Sequence, residues 1–177
     1  GGAGFIGSNL VDFLIEEGHE VNVIDNFSSG KKENCNEKAQ YFELDISDSN
    51  NYEDLKNILL GSSGVFHLAA LPRVQESIDN PLHFEKNNTL STINILKACA
   101  DSNVKRLVYS ASSSAYGNTI QLPSKEEDPV DPISPYAIQK YYGEIACRMF
   151  ANVYGVETVS LRYFNVYGER QSLEGAY

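Results

Sequence analysis

Short apolar runs of strand length alternate with longer amphipathic stretches along the whole chain. "EVNVIDN" (20–26), "QYFELD" (40–45), "GVFHLAA" (64–70), "VKRLVYSAS" (104–112) and "VETVSLRYF" (156–164) read as strands. Helices are expected over Gly4–Glu17, over "SNNYEDLKNILLG" (49–61), from Pro81 to about Ser102, and from about Tyr136 to Tyr154. "SSGKKEN" (28–34) reads as a turn leading to a short helix, and "LPSKEEDPVDPISP" (122–135) as a Pro-rich loop. Strands that alternate with helices imply βαβ units and a doubly wound parallel sheet, with helices on both faces. Near-continuous apolar strands fit, because parallel sheets are buried on both sides.

The chain opens with "GGAGFIG", in which glycines 1, 4 and 7 recur every third residue just before a helix. Glycine permits positive φ and lets a pyrophosphate approach the backbone. The helix that comes next presents free N–H groups and a positive dipole end to that phosphate. The next strand ends in Asp25, near the ~20-residue offset at which an acid hydrogen-bonds the adenosine ribose in NAD-binding domains. A carboxylate there repels the 2′-phosphate of NADP and favours NAD, a preference that neighbouring Lys31 and Lys32 soften. In a sheet of this kind the strand before the glycine turn lies in the middle. The chain is therefore expected to lack that first strand, and "GERQSLEGAY" (168–177) to break off inside a further region.

The net charge of −10 and the sequence pI of about 4.7 argue against a nucleic-acid partner. No apolar run approaches the ~18 residues of a membrane span. Cys35, Cys99 and Cys147 are odd in number and far apart, and His19, His67 and His83 are equally scattered. They form no metal-ligand spacing and no disulfide framework, so reduced thiols in a cytoplasmic protein are expected.

Candidate chemistry lies in two later stretches. "YSASSSAYGN" (109–118) puts serines at the C-terminal end of an apolar strand, where open α/β sheets build their sites. "SPYAIQK" (134–140) supplies Tyr136 and Lys140, which a four-residue step brings to one helix face. Y-x-x-x-K is unspecific alone and recurs at Tyr52 and Lys56, where it reads as a solvated helix face. The serine run and the order of parts single out Tyr136. A lysine beside a tyrosine favours the phenolate, so Lys140, together with a cationic nicotinamide, is expected to lower the phenol pKa from its free value of about 10.

Taken in order, "GGAGFIG", "VIDNFSSG", "LDISD", "VFHLAAL", "SASSSAYG", "SPYAIQK" and "LRYFNVYGERQ" resemble the extended short-chain dehydrogenase/reductase superfamily, and within it the NAD-dependent UDP-sugar 4-epimerases. The resemblance covers nearly the whole chain. It implies a Rossmann-like α/β domain over 1–164 and the start of a substrate-binding region over 165–177. It implies that Gly1, Gly4, Phe5, Ile6 and Gly7 form the pyrophosphate turn, that Asp25 and Asn26 hold the adenosine ribose, and that Asp45 and Ile46 flank the adenine. Leu68, Ala69, Ala70 and Asn87 would line the cofactor channel, with Ser110 and Tyr163 near the nicotinamide. Ser112, Tyr136 and Lys140 would be catalytic, and Asn165 would contact the substrate diphosphate. Pro72 departs from the pattern, since several hexose epimerases have a lysine there beside the cofactor.

The implied activity is inversion at C4 of a UDP-hexose or UDP-N-acetylhexosamine through a 4-keto intermediate, an isomerisation in carbohydrate metabolism. "SASSSAYG" and "YFNVYGERQ" look most like epimerases acting on UDP-N-acetylglucosamine, then UDP-glucose, with UDP-glucuronate left open. The rival on the same scaffold is a 4,6-dehydratase, in which an Asp–Glu pair comes after the catalytic serine or threonine; Ser113 and Ser114 stand there instead. A decarboxylase, a 4-reductase and a non-catalytic NAD-binding module are the remaining alternatives. The resemblance also implies a homodimer that pairs the 80–102 and 136–154 helices of each subunit.

Overall fold

The computed structural model describes residues 1–119 and 121–172; the last five residues of the 165–177 region lie outside the described residues. Helix α1 (Phe5–Glu16) begins at Gly4, which is extended and carries no side-chain cap. Its buried face is Gly7, Ser8 and Val11, while Phe13 is exposed. The small residues decide this, because a Cβ on Gly7 would sit 2.1 Å from the Gly1 carbonyl oxygen. Strands β1 (Asn22–Asp25) and β2 (Gln40–Glu43) come next and pair in parallel, Asn22 with Gln40 through Asp25 with Glu43. Then come α2 (Tyr52–Leu59) and β3 (Gly64–His67).

The stretch expected as one helix from Pro81 to about Ser102 is divided. A further helix, α3 (Val74–Asp79), precedes it, which the periodicity does not predict. Helix α4 (Pro81–Phe84) gives way to a π-helical segment, Glu85–Leu90, and this to α5 (Ser91–Asp101). A π segment adds a residue to the turn and rotates the helix beyond it; here it turns Asn88 into the interior. Strand β4 (Arg106–Ser112), the 3-10 turn Ser113–Tyr116, helix α6 (Pro135–Tyr154) and β5 (Glu157–Tyr163) complete the chain.

The strands are shorter than the apolar runs suggest and form two parallel sheets rather than one: β1–β2, and β3–β4–β5. No described strand lies between β1 and β3. The glycine turn joins their C-terminal ends instead: the Gly1 amine bonds the Ile24 carbonyl, and Gly1 packs against Ala69 so closely that a Cβ would meet the Ala69 nitrogen at 2.5 Å.

Alternation along β4 sends Leu107, Tyr109 and Ala111 into one core with Leu55 and Leu59 of α2, Ile95, Leu96 and Cys99 of α5, and Cys147 and Phe150 of α6. The opposite face of that sheet carries Phe66 and Val159 in register with Val108, and both are exposed. Cys99 and Cys147 are buried free thiols and Cys35 is half-buried. Among the described residues, no helix is long and apolar enough to cross a membrane.

Candidate active site

The C-terminal ends of β1, β3, β4 and β5 converge with the start of α1 and the first turns of α6. At the glycine turn, a Cβ on Gly4 would meet only the Gly1 carbonyl oxygen, at 3.6 Å, so that side of the turn is open. An open glycine face at an uncapped helix start is a cradle that suits a diphosphate. Phe5 and Ile6 open α1 and are half-buried.

Asp25 is buried at the end of β1. Its Oδ2 accepts the Ala3 N–H at 3.0 Å and its Oδ1 the Phe27 N–H at 2.8 Å. The Gly1 nitrogen lies 3.5 Å from Oδ2 as well, and of the roughly four acceptor sites of an ionised carboxylate this leaves room for a ribose hydroxyl. Gly30 closes over it, since a Cβ there would sit 2.8 Å from Oδ1. Asn26 is exposed and its Oδ1 accepts the Ser28 N–H. Asp45 accepts from the Ser47 N–H and hydroxyl, and the Ile46 carbonyl accepts from Asn94 of α5. These contacts stiffen the loop after β2.

Leu68, Ala69 and Ala70 come after β3 beside the glycine turn and are half-buried. The Asn87 side chain turns back on its own helix, where Nδ2 donates to the His83 carbonyl at 2.8 Å. The buried neighbour Asn88 grips the segment after β3 instead. Its Oδ1 accepts the Leu71 N–H at 2.8 Å, and its Nδ2 donates to the Leu71 carbonyl and to Gln139 Oε1 of α6. Adjacent asparagines in a helical run give no sign of which one turns inward; the π segment decides it.

The polar centre lies between β4 and α6. Ser112 Oγ accepts both the Ser114 N–H, at 3.1 Å, and the Ser114 hydroxyl, at 2.8 Å. The Ser112 hydroxyl also faces the Tyr136 phenol and favours its ionised form. Lys140, buried one turn along α6, donates from Nζ to the Ser110 carbonyl at 2.9 Å. Its ammonium lies 5.2 Å from the Tyr109 ring centroid and 6.0 Å from that of Tyr136. Burial pushes Lys140 down to about 8. The phenol of Tyr136 moves the other way from the expectation: burial raises its pKa, and the Ser112 hydrogen bond offsets only part of the rise. Desolvation outweighs a lysine whose charge is turned to a backbone carbonyl.

Tyr163 lies in register with Ser112 at the end of β5 and is half-buried, whereas Asn165 is exposed just beyond it. A bidentate ion pair braces this corner: Arg162 of β5 donates from Nε and Nη2 to the two oxygens of the largely buried Glu144 carboxylate, each at 2.9 Å. The Arg162 guanidinium stacks 4.6 Å from the Tyr116 ring centroid. Tyr52 and Lys56, the second Y-x-x-x-K, make surface contacts to Asp101 and Glu53 away from this centre.

Comparison with known proteins points the same way. A family model described as the NAD dependent epimerase/dehydratase family matches residues 1–176. The chain is similar in structure to a UDP-glucose 4-epimerase of Thermotoga maritima solved with UDP-glucose, at 41% identity and a TM-score of 0.93 over 99% of this chain and 57% of that one. It is similar to a UDP-N-acetylglucosamine 4-epimerase of Methanobrevibacter ruminantium in complex with UDP-N-acetylmuramic acid, at 42% identity and a TM-score of 0.92, covering 99% of this chain and 56% of that one. A Thermus thermophilus UDP-glucose 4-epimerase in complex with NAD matches at 36% identity and a TM-score of 0.92, again over 99% and 57%. The chain thus spans a little over half the length of these relatives. A single model that runs from the glycine turn through the Tyr–Lys helix accounts for all the parts in their order, and the chain belongs to the NAD-dependent epimerase/dehydratase family.

Proposed function

We propose that the protein is an NAD-dependent nucleotide-sugar 4-epimerase that inverts C4 of a UDP-hexose or UDP-N-acetylhexosamine. The observation that carries this reading is the placement of Tyr136 and the buried Lys140 on one face of α6, the ammonium 6.0 Å from the Tyr136 ring centroid and bonded to the Ser110 carbonyl, beside Ser112 at the C-terminal end of β4. Residues 1–164 form the NAD-binding domain, and 165–177 begin the substrate-binding region.

The glycine turn, with Gly1, Gly4, Phe5, Ile6 and Gly7, holds the diphosphate of NAD at the start of α1. Asp25 and Asn26 hold the adenosine ribose, Asp45 and Ile46 the adenine side. Leu68, Ala69, Ala70, Asn87, Ser110 and Tyr163 line the way to the nicotinamide. NAD supplies a hydride acceptor and donor, so C4 is oxidised and reduced without net redox change. The chain supplies binding, orientation and proton handling. Tyr136 takes the proton from the sugar 4-hydroxyl and later returns it. Ser112 donates a hydrogen bond that aligns the sugar O4, and Lys140 steadies the negative phenolate across the short gap on α6. Asn165 contacts the substrate diphosphate, which stays anchored while the ring turns over.

The absence of an acid at Ser113 and Ser114 supports epimerisation over dehydration, because elimination of water needs further acid–base groups. In this structure the Ser114 hydroxyl is spent on Ser112. The protein works in the cytoplasm, consistent with its free thiols. It pairs with a second copy through α6, along which Ile138, Tyr142, Ile145, Met149 and Val153 leave an exposed apolar stripe at helical spacing. The 80–102 segment adds exposed Leu82 and Leu90.

The test incubates the purified full-length protein with UDP-N-acetylglucosamine, then with UDP-glucose, and no added NAD. Proton NMR of the anomeric region tracks the products. The 4-epimer is the expected product. A 4-keto-6-deoxy sugar, or no reaction until outside cofactor is added, overturns the reading in favour of a dehydratase or a reductase.

A further inference from the structure

The start of α6 is saturated in an unusual way. Pro135, its first residue, has no N–H to satisfy. The Ala137 N–H is capped by Ser134 Oγ at 3.2 Å, an ordinary local cap. The Tyr136 N–H reaches instead to Ser77 Oγ, at 3.1 Å, 59 residues earlier in the chain. Ser77 is fully buried in α3, and its hydroxyl proton goes to the Val74 carbonyl at 2.6 Å, so its oxygen is aimed at Tyr136. We propose that Ser77 is a positioning residue that sets where Tyr136 stands relative to Ser112 and to the segment after β3.

The Tyr136 backbone is held by Ser77, while its phenol faces the Ser112 hydroxyl. Helix α3 comes directly after Leu68–Arg73, and that segment is fixed by the double hydrogen bond from Asn88 to Leu71. Asn88 also reaches α6 through Gln139, next to Lys140. Ser77 therefore ties the base to the same rigid body that flanks the cofactor channel. Without its oxygen, the buried Tyr136 N–H loses its acceptor and the first turn of α6 shifts to find another. A displacement of about 1 Å at a reacting group costs as much as 10²-fold in rate.

This inference rests on the epimerase reading, and its test includes a measurement that does not. In the full-length, NAD-loaded protein, Ser77→Ala lowers kcat per bound NAD by roughly ten- to a hundredfold and leaves KM within about twofold. Tyrosine labelled with ¹³C at Cζ, with the Tyr136 signal assigned by its loss in Tyr136→Phe, reports the phenol titration directly. That titration moves upward in Ser77→Ala, because the Ser112 bond that lowers it is loosened. Ser77→Thr keeps an oxygen at the same place and restores both readouts. Should the alanine variant fail to fold, Ser77→Cys, a weak acceptor, shows the same changes in the same directions. The proposal is overturned if Ser77→Ala matches the parent in kcat and in the Tyr136 titration, or if Ser77→Thr is impaired as much as Ser77→Ala. A parent protein that epimerises no UDP-sugar defeats the functional reading alone, since the titration still reports on Ser77.

Discussion

Tyr136 needs help that its own surroundings only partly give. Burial raises its pKa and the Ser112 hydrogen bond lowers it again in part. Removing the phenol oxygen by Tyr136→Phe is expected to cut turnover by about 10²–10⁴-fold, the range for one general acid–base group, while bound NAD stays with the purified protein. NAD content measured after heat release separates the two effects. His67, which also feels the Lys140 charge, poses a different problem. It is fully buried, with Nε2 3.1 Å from Thr92 Oγ1, and its ring lies 5.7 Å from that of Tyr109. Desolvation, then the Lys140 charge, push it down to about 3. The unfolded chain takes up a proton near pH 6.5 that the folded protein refuses. Stability therefore falls as pH drops below about 6.5, by about 1.4 kcal/mol per unit, and continues to fall toward pH 3. Urea unfolding at pH 7 and pH 5 measures the loss, and His67→Gln is expected to flatten this component of the slope.

Helix α6 carries the Tyr–Lys pair, and it lies unusually close to β4. A Cβ on Gly143 would fall 2.2 Å from the Tyr109 hydroxyl oxygen and 2.3 Å from its Cζ. The ring itself blocks the way, so removal of the hydroxyl alone does not make room. Intrinsic helix propensity favours Ala over Gly by about 1 kcal/mol. Overpacking costs about 1–3 kcal/mol and dominates here. Gly143→Ala is expected to lower the melting temperature, and Tyr109→Leu added to it recovers part of the loss. A shift of α6 also moves Lys140 off the Ser110 carbonyl. Activity should then fall in Gly143→Ala by more than the loss of folded protein explains.

At the scale of the whole molecule, the proposed pairing of two copies rests on the exposed apolar stripe along α6. Ile145 sits mid-stripe with 42% of its surface exposed, flanked by Ile138, Tyr142, Met149 and Val153. A charge placed there is stranded if two copies pack through this face, so Ile145→Glu is expected to convert a dimer to a monomer in light scattering while melting of the subunit changes little. An unchanged mass would remove α6 from the interface.

Much of this organisation is written along the chain. The βαβ order, the glycine turn before α1, Asp25 at the end of β1 and the shared face of Tyr136 and Lys140 arise from periodicity and short spacings, which act within a few residues and need no partner. The limits of the strands, the division into two sheets and the break in the 81–102 helix depend on what lies alongside each segment. So do the finer parts of the site. Ser77 gains its role from an N–H 59 residues away, and Asn88 from Leu71 and from Gln139 on another helix. Gly143 is required by a ring on β4, and Gly30 by the Asp25 carboxylate. In sequence these are an ordinary serine, one of the adjacent pair Asn87 and Asn88, and two glycines among 13. Local spacing selects the chemistry of the chain, whereas contacts between distant segments fix where each reacting atom stands.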